Sequence, residues 1–306
     1  MANTIQYATI FQNKLDELAI QEMLTSWMDG NAGQIIYTGG KEVKIPKLTV
    51  DGLADYGRQG NVGYVQGDVN FSYETMTMSQ DRGRGFSIDA NDVDETGFAL
   101  TASSVMGEFQ RTKVVPEIDA YRLSKVAAAA LDANKKYSYT PAKDTIIQEI
   151  KAGIKAIREA GHNGDLVIHA TYDVMLEVEM ALLGKIQSAT FSAGGIDTTC
   201  PVIDGCPIIV TPQNRMYSQI QLYDGKTQGQ EAGGYAKAAN ANDMNFIIMQ
   251  RTTPIAVTKQ DVMRIFDPNT NQTANAWAMD YRRYHDLWVK DNAASSIYVN
   301  LKGAKA

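Results

Sequence analysis

The sequence has few of the residues on which redox and metal chemistry depend. Among 306 residues there are two cysteines, Cys200 and Cys206, and three histidines. Two cysteines cannot support a disulfide-dependent scaffold, and this usage is typical of a chain kept in a reducing cytoplasm. The histidines, His162, His169 and His285, form no His-x-x-x-His or His-x-His pair, so the sequence predicts no zinc site.

The sequence also lacks a long apolar run and an excess of basic charge. Its longest purely apolar run, Val126–Leu131, is far shorter than the roughly 20 residues that cross a bilayer. Residues 1–4 contain no basic segment leading into an apolar one, so no secretion signal is predicted. The net charge of −6 argues against a dedicated nucleic-acid binder, which needs a basic face to neutralise phosphates.

Motifs that carry catalysis are missing as well. The glycine-rich stretches 60–63 and 83–85 lack the Gly-Lys-Ser/Thr ending of a phosphate-binding loop, so flexible turns are the better interpretation. The acidic stretch 89–94 fails as a calcium loop because Val93 occupies a ligand position and Asp94 the glycine position. There is no Gly-x-Ser-x-Gly elbow, and the two cysteines suit small buried hydrophobes. The sequence therefore predicts no catalytic, cofactor-binding or metal-binding residue.

A long β-ribbon is what the sequence does contain. Its arms are Glu42–Val50 and Val69–Met78, where apolar and polar side chains alternate as in half-buried strands. The alternating apolar residues are Val43, Ile45, Val69, Phe71 and Tyr73. The tip, residues 51–68, holds five glycines and is too long for an ordinary hairpin turn. Since a two-stranded ribbon is marginal in water and the rest of the chain offers no obvious cover, the ribbon is predicted to lie on another copy of the protein.

A rod-like helical segment follows the ribbon. The acidic residues 89–95 favour a helix start, and Pro116 is expected to interrupt or kink the helix. If nearly continuous, the segment would reach roughly 50 Å at 1.5 Å per residue. The apolar stripe that predicts it consists of Phe98, Ala102, Val105, Phe109, Ala120, Leu123, Ala127 and Leu131.

The remaining segments have recognisable patterns. Residues 1–34 predict an arm with a short amphipathic helix that ends near Gly30 and docks on its own subunit or a neighbour. Residues 228–243 are predicted to be a loop. The central region is predicted to contain a helix opened by a capping box at Thr145–Gln148, a strand Leu166–Ala170, a helix Tyr172–Leu183 and an Asp-Gly hairpin Val202–Cys206.

The C-terminal part is predicted to return as strands beside the rod. A polar turn or projecting loop, residues 267–273, separates them into two pairs. The predicted strands are Asn245–Met249, Ile255–Thr258, Asp286–Lys290 and Ser296–Leu301.

Three stretches resemble the major capsid proteins of tailed bacteriophages with the HK97 fold, in phages and prophages of Gram-positive bacteria. They are Met78–Asp89, Ile118–Lys125 and Asp286–Ala294, and the order of elements matches over nearly the whole chain. The resemblance implies an α+β fold with a discontinuous peripheral (P) domain. Its parts are an N-terminal arm (1–34), an extended β-ribbon or E-loop (35–90), a P domain with the spine helix (91–135), a central A domain (136–239) and the returning P-domain strands (240–306).

The resemblance implies a structural protein rather than an enzyme. Such a chain would self-assemble into pentamers and hexamers of an icosahedral shell around double-stranded DNA, touched only non-specifically. Assembly would take place in the bacterial cytoplasm, without a membrane, and the protein would end in the virion. Further partners would be a portal protein and a separate scaffolding protein, because the scaffold segment that precedes the arm in many relatives does not precede residue 1. Proteolytic maturation at this end is therefore not expected.

Two alternatives stay open from the sequence. One is an encapsulin-like compartment of the same fold that stores an enzyme cargo. The other is a cytosolic α/β enzyme whose ribbon is a lid, which would need a convergent polar cluster that the sequence does not show.

Charged and aromatic residues of the ribbon are the candidates for contact between subunits. Complementary charges across such a contact would set its register more than its affinity. The competing interpretation is a solvated surface, on which single ion pairs contribute under about 1 kcal/mol. In some relatives a ribbon lysine forms a covalent cross-link, but no residue here is assigned that role. The candidates are Lys44, Lys47, Arg58, Tyr64, Arg82 and Arg84.

Overall fold

The computed structural model describes residues 23–34, 36–37, 41–58, 63–95, 102–183, 185–193 and 196–305. The predicted helix of the arm upstream of residue 23, and Phe98 of the predicted stripe, lie outside these ranges. The helices are α1 (Ala90–Glu95), α2 (Ala102–Phe109), α3 (Val115–Ala129), α4 (Ile146–Glu159) and α5 (Tyr172–Leu182). The strands are β1 (Ile36–Tyr37), β2 (Glu42–Val50), β3 (Val69–Thr77), β4 (Gln80–Asp89), β5 (Lys135–Lys136), β6 (Leu166–Ala170), β7 (Gln187–Ala193), β8 (Ile196–Ile203), β9 (Cys206–Val210), β10 (Ile220–Leu222), β11 (Tyr235–Lys237), β12 (Met244–Gln250), β13 (Pro254–Phe266), β14 (Ala276–Val289) and β15 (Ile297–Leu301).

A seven-stranded sheet forms the central body, in the order β5-β15-β12-β6-β9-β8-β7. Its middle strands are apolar at consecutive positions because both faces are covered. On one face Val167 and Ile247 pack against Leu123 of α3. On the other face Ile168 and Ile248 share a cluster with α4 and α5. The sheet therefore holds the spine on one side and two helices on the other.

The four C-terminal strands are divided between two sheets. The strands β12 and β15 pair with each other and, through β6, belong to the central sheet. Only β13 and β14 join β4, in a separate three-stranded sheet of order β13-β14-β4. Both sheets contact the rod, as expected, through Ile247 of β12 on Leu123 and through Met263 of β13 on Met106, but the four strands do not form one sheet. β13 and β14 also extend well beyond the predicted segments 255–258 and 286–290.

The rod consists of α2, a π turn over Gln110–Val114, and α3. Pro116 lies in the first turn of α3, and the regular α-helix is interrupted directly before it, as expected, although the helical segment continues through the π turn. Its ring excludes a normal hydrogen bond and the approach of the carbonyl four residues earlier. The wider π turn immediately before it removes that conflict, and Val114 and Val115 keep helical backbone angles.

The elements of the central body agree with the sequence-based predictions at three points and differ at two. The helix α4 ends before Gly161, whose φ is +92°, and β6 has the predicted bounds. The Asp204-Gly205 pair joins β8 to β9 with φ values of +50° and +77°, as a tight hairpin turn requires. Thr145 makes no capping bond through its side chain, so the predicted capping box is absent. The predicted loop 228–243 contains β11, which pairs with β10.

Residues 23–34 lie against the spine of the same subunit. The buried carboxylate of Asp119 accepts hydrogen bonds from the backbone nitrogen and Oγ1 of Thr25, at 3.1 and 2.6 Å, and from Arg215 at 2.8 Å. Arg122, also buried, binds Asp29 at 2.6 Å. Burial raises the pKa of Asp119 above its usual value. This part of the arm therefore docks on its own subunit, one of the two expected outcomes.

Candidate inter-subunit surface

The base of the ribbon is covered by the chain itself. Val43 and Ile45 of β2 are 0% exposed and pack in a cluster with Ile255 of β13 and Tyr284 of β14. The prediction that the chain offers no cover for the ribbon is therefore wrong for its base. Two alternating apolar residues become core because β13 and β14 extend beneath them.

The apolar side of the ribbon changes face beyond Ile45. Successive side chains of a strand point to opposite faces, and residues paired across two strands share a face. The pairs Leu48–Phe71 and Val50–Val69 therefore lie on the face opposite to Ile45. We define the ribbon face as the residues Pro46, Leu48, Val50, Val69, Phe71 and Tyr73.

The ribbon face has no cover within the described chain. Leu48 is 59% exposed and Phe71 is 55% exposed. The rings of Phe71 and Tyr73 lie edge to face with centroids 5.0 Å apart. A contiguous exposed apolar surface of this kind marks an interaction site. The position of these residues on one face, in register, makes that surface continuous along the distal arms.

The tip of the ribbon also carries exposed apolar side chains. Tyr56 and Tyr64 stack edge to face with centroids 4.9 Å apart, and the backbone of Gly57 donates to Gly63 at 3.0 Å. Leu53 is fully exposed. Exposed tyrosines such as Tyr56 and Tyr64 are side chains of the kind that serve as anchors at interfaces.

The other face of the distal ribbon is polar and tied to the body. Lys47 Nζ lies 3.2 Å from Glu74 on the facing strand and 3.4 Å from Asp291. The hydrogen bond with Glu74 raises the pKa of Lys47. Thr49 and Asn70, paired on this face, are exposed. The ribbon therefore has a polar side with contacts to its own subunit and an apolar side without cover there.

The six candidate residues are not brought together. Arg82 binds within its own chain, to Glu117 through two bonds of 2.7 and 3.0 Å and to the carbonyl of Tyr223 at 2.8 Å. Arg84 lies 3.2 Å from the carbonyl of Glu231. Lys44, Arg58 and Tyr64 are exposed on the ribbon, and Lys47 is half-buried.

Of the ribbon face, Val69, Phe71 and Tyr73 were identified from the sequence, but Leu48 and Val50 were missed. A signal existed, because Leu48 and Val50 alternate with Lys47 and Thr49. It could be read only with the strand register, which shows that these two side chains share a face with Phe71 rather than with Ile45.

No arrangement for metal chemistry occurs in the described part of the chain, where no three His, Cys, Asp or Glu side chains are placed to hold an ion. Cys200 and Cys206 are free thiols, the latter buried. His162 bonds Ser295 at 2.8 Å in a loop, and His169 and His285 are buried. Of the helices in the described ranges, none has the length and apolarity to traverse a bilayer.

Comparison with known proteins identifies the fold. The sequence matches no protein-family model and no curated protein sequence. Among solved structures, one from Mycobacterium phage Che8 aligns with a TM-score of 0.58 and 13% identity over 87% of this chain and 86% of that one. The mature capsid of bacteriophage PhiM1 aligns at 0.56 and 11%, over 87% and 83%. The capsid of cyanophage P-SCSP1u aligns at 0.58 and 9%, over 88% and 85%.

The chain is thus an α+β protein with an extended ribbon and an exposed apolar face. Its fold is that of phage capsid subunits, and the match extends over most of each aligned chain.

Proposed function

We propose that this chain is the major capsid protein of a tailed phage, which assembles with copies of itself into pentamers and hexamers of an icosahedral shell. The ribbon face carries this proposal. Five of its six residues, all except the half-buried Pro46, are exposed on one side of the ribbon, without cover from the described part of the chain, in a fold that solved capsids share. A second copy of the chain supplies the cover.

The energetics favour burial of this face in an assembly. Removing a leucine or phenylalanine side chain from water contributes about 1.5–3 kcal/mol. Part of that gain offsets the loss of freedom on association. Each contact between two subunits can still be weak, because a shell repeats the same contact many times. Contacts arranged around symmetry axes close on themselves, so the assembly is finite.

The domain division belongs to the same proposal. The rod with the sheet β13-β14-β4 would form the P domain, and the seven-stranded sheet with α4 and α5 the A domain. Residues 1–34 would be the arm and the ribbon the E-loop. With two of the returning strands in the central sheet, we place the boundary by sheet rather than at residue 240.

The proposed partners follow from the shell function. They are a separate scaffolding protein, a portal protein and packaged double-stranded DNA, and the location is the virion after assembly in the host cytoplasm. The net charge of −6 is compatible with an inner wall that does not hold DNA tightly. The exposed candidates Lys44, Arg58 and Tyr64 would border the ribbon contact.

The test compares two neighbouring substitutions. Phe71→Asp puts a charge on the ribbon face, and Asn70→Asp puts the same charge on the polar face one residue away. Wild type and Asn70→Asp are expected to form closed particles, seen by negative-stain electron microscopy and light scattering. Phe71→Asp is expected to remain a folded subunit or small oligomer, because a carboxylate buried in an apolar contact is strongly unfavourable.

Three results would contradict this assignment in different ways. Normal particles from Phe71→Asp would show that the ribbon face is not needed for assembly. A wild-type chain that stays monomeric even with the scaffold of its own phage would remove the shell function. If particles from native cells hold an enzyme in place of DNA, the shell function stands and the phage assignment is wrong.

A further inference from the structure

A second apolar surface lies on the central body, far along the chain from the ribbon. The helix α5 buries Val174, Met175 and Val178 against the sheet. Its outward side carries a stripe of four large apolar residues at helical spacing, all exposed. We define the α5 stripe as Tyr172, Leu176, Met180 and Leu183.

The end of the stripe has an unfavourable backbone. Leu183 has φ +44° and ψ +50°, in the left-handed region, where it ends the helix through a bond from its nitrogen to Glu179. Glycine is the usual residue at this position because its lack of a Cβ avoids the steric conflict. Here the position holds a leucine that is 83% exposed. Inside the subunit this choice is unfavourable, so an interaction outside the subunit explains it better.

Charge indicates what covers the stripe. Acidic residues flank it on α5, which has no basic residue. Asp173 pairs with Lys302 of its own subunit at 2.7 Å, so the acids that concern the stripe are Glu177 and Glu179. The neighbouring helix α4 exposes Lys151 and Lys155, one turn apart. Their partners within the subunit, Asp204 and Glu159, lie at 3.5 Å. Exposed pairs of this kind are weak and exchange partners readily.

The geometry of closed shells requires such a second surface, and here the inference rests on the proposed function. One head-to-tail contact between identical subunits closes only into a ring or continues as a helix. A shell therefore needs another, independent contact. The ribbon face projects from the three-stranded sheet, whereas the α5 stripe lies on the central sheet. The two surfaces can be buried by different neighbours.

We propose that the α5 stripe is a second self-association surface, buried against the exposed side of α4 in the next copy of the chain. The helices α4 and α5 lie on one face of the central sheet, so a head-to-tail neighbour can set its α4 beside α5. The aliphatic stems of Lys151 and Lys155 cover the apolar stripe. Their ammonium groups meet Glu177 and Glu179 beside the stripe.

The first experiment separates this contact from general surface damage. Leu176→Asp is expected to reduce ring and shell formation at least tenfold by light scattering and electron microscopy. The matched control is Leu131→Asp, the same change at a leucine of similar exposure (46% against 56%) outside the stripe, which is expected to assemble normally. Equal loss in both variants, or in neither, would overturn the proposal.

The second experiment tests the direction of the contact. Glu179→Lys and Lys155→Glu should each weaken assembly, and the double variant should recover most of it because the charges across the contact are exchanged. Absence of recovery would exclude α4 as the opposing surface.

Leu183→Gly provides a separate readout. It should leave the melting temperature of the subunit unchanged or raised, since the backbone strain is relieved, while assembly falls. If Leu176→Asp assembles normally and Phe71→Asp does not, this inference fails and the proposed function stands. If the wild-type chain never associates, both this inference and the proposed function are wrong.

Discussion

His169 is held neutral by the bonds that surround it. The indole Nε1 of Trp27 donates to His169 Nε2 at 3.3 Å, and an indole nitrogen can only donate. Nδ1 must therefore carry the proton, which it donates to Thr211 Oγ1 at 3.1 Å. That hydroxyl donates in turn to the carbonyl of Ile209 at 3.3 Å. Burial lowers the pKa of His169 to about 3, and a second ring proton would face the indole N–H.

This arrangement predicts acid sensitivity of the subunit. In the unfolded chain His169 takes up a proton near pH 6.5, whereas in the folded chain it does so only near pH 3. The contribution of His169 to the free energy of unfolding is therefore complete above pH 6.5 and falls as the pH drops toward 3, by about 1.4 kcal/mol per pH unit. His169→Gln, whose amide can still accept and donate, should reduce the slope of unfolding free energy against pH by this amount.

Urea unfolding in the Phe71→Asp background, which keeps the chain from assembling, measures this slope. His285, whose pKa burial also lowers, is present in both chains and cancels in the difference. Parallel slopes with and without His169 would show that its folded pKa is not depressed.

Single charged residues were the least predictable from the sequence. Arg82 and Arg84 look alike in sequence, two residues apart on β4. Arg82 has both a carboxylate and carbonyls around its guanidinium, because α3 and the 223–234 loop converge on it. Arg84 reaches one carbonyl. Which charge is satisfied within the subunit depends on tertiary neighbours, and these have no local signal.

At the scale of elements, alternation predicted strands well and their surroundings poorly. The bounds of β2 are those predicted, because period two depends only on the chain itself. Alternation does not say which face is covered. Ile45 and Leu48 both lie in a regular alternating pattern, yet one is core and the other exposed on the opposite face. Strands with little apolar alternation, such as β4 and β7, were not predicted at all.

The packing of α4 on the sheet gives an element-scale prediction. A Cβ at Gly153 would lie 2.6 Å from the ring of Tyr298 and 2.8 Å from Ile248. In an open helix Gly→Ala would stabilise by about 1 kcal/mol, but overpacking costs about 1–3 kcal/mol. Gly153→Ala should therefore lower the free energy of unfolding by up to about 2 kcal/mol, the overpacking cost less the gain in helix propensity. Gln148→Ala, exposed on the same helix, is the control and should change it little in the same denaturant titration. A stabilised Gly153→Ala chain would mean that α4 can move away from the sheet.

For the whole molecule, the sequence predicted the order of elements but not their assignment to sheets. β12 follows the loop expected to return the chain to the rod, yet it pairs with β6 from the central region. Both strands are mostly apolar and buried at almost every position, so the pattern shows that they are covered on both faces without identifying a neighbouring strand. Strand pairing across some eighty intervening residues is a property of the folded topology. It became visible only with the register.

Assembly from two kinds of contact gives a prediction for mixtures. A Phe71→Asp subunit retains its α5 stripe and the surfaces on which the ribbons of wild-type neighbours lie, so it should enter growing assemblies. Once incorporated it leaves one ribbon contact unmade, and every shell contains many positions at which this can occur. The yield of closed particles should therefore fall more steeply than the fraction of variant added. Sedimentation of mixtures at constant total protein measures this, with Asn70→Asp as the control that leaves the yield unchanged. A yield that falls only in proportion to the wild-type fraction would mean that the variant is excluded, and that the ribbon face is needed for the first contact between subunits rather than for closure.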